Sequence, residues 1–368
     1  MNTYGNTLKV TIFGQSHAPA IGVVIDGFPA GMTVDMEALQ RFLDRRAPRG
    51  AAYSTKRSEP DIPEFISGLV NGKTCGAPIA AIIRNTDTRS ADYESLRDIP
   101  RPSHADYAAW VKFNGHNDIA GGGQFSGRLT APLCIAGGLC LQWLASQGIH
   151  VAAHILSIGD VEDTPFDPVA VDCKAFATRT SDHPPVMNES AWKQMLETVE
   201  AARKDADSIG GVIECAATGL PAGLGEPMFG GVENRIASAV FGVPAVKGIS
   251  FGSGFDGSRL RGSENNDPFV IDSGSVKTRT NSHGGILGGI TSGMPLLFKA
   301  AIKPTASIGQ EQDSVSLTSK QNVKLTVHGR HDPCIVPRAV PAIEAAAAVA
   351  LCDLLLDCTQ TIGEKPWT

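Results

Sequence analysis

121-GGGQFSGRLTAPLCIAGGLCLQWLASQG-148 opens on three consecutive glycines and then runs into a long, small-residue, apolar stretch. A helix this apolar on every side belongs in the centre of a core, so the segment predicts a buried helix around which the remaining elements pack. Its entry is distinctive too. Glycines at a helix N-terminus form a nest of backbone N–H donors suited to an anion. The run is neither a dinucleotide-binding GxGxxG nor a phosphate-binding loop, since no Gly-Lys-Ser/Thr follows. A flexible turn would explain the glycines, but not Ser126 and Arg128 placed directly after them.

Outward from this helix, Leu8–Phe13 and Ile21–Ile25 read as short β runs flanking the Gly-bounded turn 14-GQSHAPAIG-22. Val34–Arg46 reads as a helix capped by Asp35, with Met36, Leu39, Phe42 and Leu43 on one face. Ala47–Pro63 is basic, polar and rich in Pro and Gly, as expected of a loop. Ile79–Ile83 looks like a buried strand, and a helix starts after 100-PRPSHADY-107, with Ser103 or His104 as its cap. Residues 160–190 carry little pattern and read as a surface insertion. Ser190–Arg203 is amphipathic, Gly211–Ala216 is a strand, and Pro341–Cys358 closes the chain as an alanine-rich helix. Functional-looking segments occur at both ends, so the expectation is one α+β unit over residues 1–368 rather than separable domains.

Composition narrows the function classes. The 368 residues are 42% hydrophobic and 19% charged, a globular balance far from disorder. A net charge of -6 argues against a nucleic-acid surface, so any anionic ligand must be held by a local cluster of cations. The eight cysteines include no Cys-x-x-Cys pair and mostly sit in apolar runs, which predicts buried free thiols. No signal peptide is evident, and no apolar stretch is expected to be long enough to cross a bilayer; 339–356 comes closest, but Glu344 and Asp353 interrupt it. The expectation is a cytoplasmic protein that does not cross a membrane. The nine histidines show no metal-ligand spacing, and no Gly-x-Ser-x-Gly elbow is present.

Several segments could carry chemistry. A lone histidine is more often a polar surface or core group than a catalyst, but His17 follows a strand amid Gly14, Ser16 and Gly22, where backbone and hydroxyl donors can hold a phosphate oxygen beside a proton donor. His104 stands at a Pro-fixed turn beside Arg101 and Asp106. Arg45, Arg46 and Arg49 end a helix whose dipole attracts cations anyway. With Lys56 and Arg57 they also make a clamp for phosphate or carboxylate. 283-HGGILGGITSG-293 and 303-KPTAS-307 offer backbone donors, a lysine and hydroxyls, with glycines that let a flat ligand approach. In 329-GRHDPCIVPRAVPAIE-344, Asp332 lies among Arg330, His331 and Arg338, a setting that keeps a carboxylate ionised.

In this order and at these separations, FGQSHAPAIGVVIDGFPAG, DRRAP, KRSEPD, NTDTRSADY, RPSHADY, GGGQFSGR, GGILGGITSG, KPTAS and GRHDPCIVPRAVPAIEA resemble chorismate synthase. The resemblance implies a β-α-β sandwich, a homotetramer, and an anti-1,4-elimination of phosphate from 5-enolpyruvylshikimate 3-phosphate to give chorismate, the last common step of aromatic amino-acid biosynthesis. It also implies reduced FMN as cofactor, with an external flavin reductase as electron source. Under it His17 protonates the departing phosphate, His104 manages the proton balance of the flavin, and Asp332 assists removal of the C6 proton. Ser16, Arg45, Arg46, Arg49, Arg128 and Arg338 bind substrate. Gln124, Phe125, Ser126, Ala245, Gly288, Lys303, Pro304, Thr305, Ala306, Ser307 and Arg330 contact the flavin. The chain departs from the family's usual GESHG and RPGHAD at Gln15, Ala18 and Ser103, and carries Arg49, Ala52 and Gln124 where Gly, Arg and Arg are common.

Two other readings differ in chemistry. A bifunctional enzyme that reduces its own flavin with NADPH is opposed by Ala52 and by the lack of a dinucleotide fingerprint. A non-enzymatic flavin-binding protein is opposed by the presence of His17, His104 and Asp332 together.

Overall fold

The computed structural model describes residues 2–47, 60–85, 96–177, 184–327 and 332–362. Two five-stranded sheets, antiparallel at every pairing, enclose a layer of helices. The first sheet contains β1 (Thr3–Tyr4), β2 (Lys9–Gly14), β3 (Ala20–Asp26), β4 (Glu64–Ser67) and β5 (Ile79–Arg84), in the order β1-β2-β3-β5-β4. The second contains β6 (His150–Ile158), β7 (Val161–Glu162), β8 (Gly211–Thr218), β9 (Val246–Phe251) and β10 (Leu296–Ile302), in the order β9-β10-β8-β6-β7. The helices longer than five residues are α1 (Met36–Arg46), α2 (Asp106–Lys112), α3 (Thr130–Ser146), α4 (Glu189–Lys204), α5 (Val232–Val240) and α6 (Val336–Ile362). Helix α3 packs on the first sheet and on α6, and α6 packs on β6 and β8 of the second. The fold is therefore the β-α-β sandwich that the resemblance implied.

The strands bury one face in alternation. Ile21, Val23 and Ile25 of β3 and Ile79, Ala81 and Ile83 of β5 point inward. In the middle layer every residue from Ala342 to Leu355 is buried, Glu344 and Asp353 included. Adjacent glycines let α3 lie close to two partners. A Cβ on Gly137 would fall 2.2 Å from Ala345 Cβ in α6, and one on Gly138 would fall 2.5 Å from Leu39 Cδ1 in α1. Only a residue without a side chain permits the first approach, whereas at Gly138 the Leu39 methyl would have to shift.

The expectation that no apolar stretch is long enough to cross a bilayer is corrected on length and composition. Gly127–Ser146 and Val336–Cys358 are both long and apolar enough to span a bilayer by length and composition, with mean hydropathies of 1.4 and 1.9. In the fold they are the central helix pair, and 94% of the apolar window in the second is buried within the protein. A helix covered by protein on all sides needs the same composition as one covered by lipid. Its two buried carboxylates do not sit loose in that core: Glu344 is paired with Arg45, and Asp353 with Arg235 and the backbone N–H groups of Asn6, Thr7 and Leu8.

Most element boundaries fall within a few residues of the sequence reading, and Asp35 caps α1 by accepting from Ala38 N at 2.8 Å. Helix α2 differs, because its cap is Ala105 and neither Ser103 nor His104 makes a capping bond. The stretch 160–190 also differs. Phe166 and Cys173 are buried against Ala152, Ala216 and Leu297. Asp163 and Glu214 flank the buried His154, with Nε2 3.0 Å from Glu214 and Nδ1 3.4 Å from Asp163. All eight cysteines are free thiols, and six of them are buried.

Candidate active site

Three joints of the sandwich meet around a cavity of about 660 Å³. The first is the glycine turn before α3, where Gly121, Gly122 and Gly123 adopt φ of +61°, +85° and +53°. Glycine takes such values without strain, and here they bend the chain tightly around two histidines. A Cβ on Gly121 would lie 2.7 Å from His17 Nε2 and 2.5 Å from Ser16 Oγ, and one on Gly122 would lie 3.4 Å from His104 Nε2. His17 thus sits behind the turn, and His104 lies on the cavity wall. The turn is tied to the His17 loop by Ser16 N donating to Gly123 O at 3.1 Å.

The second joint is the paired end of β9 and β10. Val246 stands opposite Ile302, so Ala245 and Lys247 lie beside Lys303, Thr305, Ala306 and Ser307. Lys303 N donates to Ala245 O at 2.9 Å. Burial, with Lys247 beside it, pulls the Lys303 ammonium below its ordinary pKa. The third joint is the start of α6, where Asp332 and Arg338 form an ion pair and Arg338 Nε donates to Arg46 O at 3.0 Å.

The wall is strongly cationic for an acidic protein. Among the described residues, Arg46, Arg101, Arg128, Lys247, Lys303 and Arg338 line the cavity against one lining carboxylate, Asp332. Carboxylates behind the wall orient these cations. Asp106 receives Arg101 Nε at 2.7 Å and Nη2 at 2.8 Å, and its Oδ1 lies 2.5 Å from His104 Nδ1. Burial alone would raise the Asp106 pKa, but the hydrogen bonds from Arg101 and His104 outweigh it and hold the carboxyl well below its usual range. Arg101 also reaches Ser307 Oγ at 3.0 Å, linking the His104 turn to the loop after β10. Ser103 sits at the same turn with φ of +57°, a left-handed conformation that the glycine usual in RPGHAD adopts at no steric cost.

The residues singled out from sequence divide clearly. His104, Gln124, Phe125, Ser126, Arg46, Arg128, Arg338, Asp332, Ala245, Lys303, Thr305, Ala306 and Ser307 line the cavity. Ser16 and His17 are one layer behind, against Gly121. Arg45 is directed elsewhere: its guanidinium makes two bonds to Glu344, at 2.7 and 2.9 Å, and it is not among the lining residues. Gly288 and Pro304 are not among them either. Arg49 and Arg330 lie outside the described residues. Sequence reasoning missed Asp61, Lys247 and the loop Phe241–Pro244. The signal for Lys247 was its place just after Ala245; Asp61 closes the KRSEPD segment, which carries the resemblance but was given no role.

The family model for chorismate synthase matches residues 8–356. The chain belongs to the chorismate synthase family. It is an enzyme of that family's class, a carbon–oxygen lyase acting on phosphates. Proteins named chorismate synthase from Thermococcus gammatolerans and Lancefieldella parvula are 48% and 46% identical to it, each covering 96% of this chain and 97% and 96% of their own length. One from Korarchaeum cryptofilum is 43% identical, covering 96% of this chain and 97% of its own. A solved structure described as a crystal structure of chorismate synthase superposes with a TM-score of 0.73 at 25% identity, over 96% of this chain and 93% of that one. Nearly the whole sandwich is shared with the family.

Proposed function

We propose that this chorismate synthase family member converts 5-enolpyruvylshikimate 3-phosphate to chorismate and phosphate by anti-1,4-elimination, with reduced FMN bound in the same cavity. The observation that carries the reading is the wall itself: six cations face one space beside His104, with His17 behind the glycine turn. Its volume lies in the range of small-molecule sites. The substrate has a phosphate and two carboxylates, and such a wall offsets the cost of bringing them together.

The residues fit a flavin. Thr305 Oγ1 is buried without a hydrogen-bond partner among the described residues, as expected of a donor reserved for a ligand. It sits with Lys303, Ala306 and Ser307 beside the backbone of Ala245. Gln124, Phe125 and Ser126 complete this side of the cavity. Bound there, reduced FMN supplies transient electron density with no net redox change.

The chain's own groups do the rest. Arg46, Arg128 and Arg338 bind the anionic groups of the substrate and relieve charge as phosphate departs. His17 supplies a proton on the phosphate side, and Asp332, beside Arg338, takes part in removing the C6 proton. His104, held by Asp106, keeps the proton balance beside the flavin. The same reading makes the protein a cytoplasmic homotetramer that draws electrons from an external flavin reductase. It also treats the chain as one catalytic unit, which is supported by a core cluster running from Leu8 to Leu355.

The test is anaerobic: purified protein, substrate and chemically reduced FMN, with chorismate followed by absorbance. Product from the wild type, lost in His17→Ala, is expected. An inactive wild type refutes the reading.

A further inference from the structure

Asp61 follows a stretch outside the described residues and precedes β4, and its side chain is wholly buried. Its backbone has φ of +48°, a left-handed conformation that aspartate tolerates better than most residues. One oxygen accepts from Arg46 Nε at 2.7 Å and also from Arg46 Nη2; the other accepts from Arg128 Nη1. The two arginines come from different elements, Arg46 from the last turn of α1 and Arg128 from the 3-10 turn that leads into α3. Both line the cavity, whereas Asp61 stands behind them.

Two buried guanidinium groups facing one space repel each other and are costly to desolvate. A single carboxylate between them, one oxygen for each, fixes both planes and leaves a net positive charge of about one toward the cavity. Further bonds, from Arg128 Nε to Asn85 Oδ1 at 3.2 Å and from Arg46 Nη1 to Thr130 Oγ1 at 3.4 Å, limit how each fork can turn. Burial alone would raise the Asp61 pKa, but the two arginines hold it low, so the carboxylate stays charged at neutral pH.

We propose that Asp61 is a positioning residue for anion binding: it holds Arg46 and Arg128 in the relative orientation from which they grip the phosphate or a carboxylate of the substrate. This rests on the reading of the site given above. The residue makes no claim on the chemistry itself and acts only through the two arginines.

The test uses full-length Asp61→Asn and Asp61→Glu. The second keeps the charge and the ion pairs but displaces them by one methylene, so it remains informative if the first does not fold. With chemically reduced FMN, each folded variant is expected to raise KM for 5-enolpyruvylshikimate 3-phosphate at least fivefold. Thermal stabilisation by inorganic phosphate is expected to fall to less than half of the wild-type shift. A purely structural role would lower the active fraction, and with it kcat, while leaving KM and the phosphate response unchanged. KM and phosphate shift within twofold of wild type in folded Asp61→Glu overturn the proposal. If the wild type forms no chorismate, the function reading fails and the phosphate titration alone decides the role of Asp61, with equal shifts in wild type and variant overturning it.

Discussion

His104 and Asp106, two residues apart, are joined by a 2.5 Å contact between Nδ1 and Oδ1, and this directs Nε2 toward Gly122 and the cavity. The carboxylate fixes the ring's orientation and favours the tautomer with its proton on Nδ1. Asp106→Asn keeps the shape but favours the other tautomer, so kcat is expected to fall by about 10² or more while the protein stays folded. The same variant tests linkage. Because the Asp106 pKa is depressed in the fold, its stabilisation is present above the unfolded carboxyl value of about 4 and is lost as pH falls through the lower folded value. Urea titrations are expected to show the variant weaker than wild type at neutral pH, with the gap closing in acid.

His154 gives the opposite sign. Burial alone would lower its pKa, but the carboxylates of Asp163 and Glu214 beside it prevail and raise it. Its stabilisation is complete below the unfolded value of about 6.5 and is lost as pH rises through the higher folded one. In His154→Gln, the fall in melting temperature on the alkaline side of neutrality should be smaller than in wild type. An unchanged alkaline slope would count against a charged His154 in the fold.

Thr305 separates binding from stability. Its buried hydroxyl has no partner among the described residues, so Thr305→Val removes nothing the ligand-free protein uses. The expected result is a melting temperature equal to or slightly above wild type, together with roughly tenfold weaker FMN binding by fluorescence titration. Unchanged affinity would remove Thr305 from the flavin site.

Gly137 tests the helix pair. Alanine is the better helix former by about 1 kcal/mol, but its Cβ would lie 2.2 Å from that of Ala345. Overpacking should win, destabilising Gly137→Ala by about 1–3 kcal/mol in chemical denaturation. Adding Ala345→Gly should recover much of the loss, since the two sites share one contact.

The sequence by itself determined the elements and, in broad terms, which segments meet around the cavity. Short β-branched runs marked β3 and β5, an all-round apolar run marked α3, and the ordered motifs named His17, His104, Asp332 and most of the arginines, because these signals are local or follow chain order. Tertiary structure decided which cations face the cavity. Arg45 and Arg46 are neighbours, but successive residues on a helix point about 100° apart. Arg45 therefore meets Glu344 from the central helix, while Arg46 meets Asp61 at the cavity wall. Lys247 joins Lys303 only because Val246 pairs with Ile302 across two strands far apart in sequence. Asp61 counts only once Arg46 and Arg128 converge on it. Such pairings depend on where distant elements pack, and no local pattern encodes that.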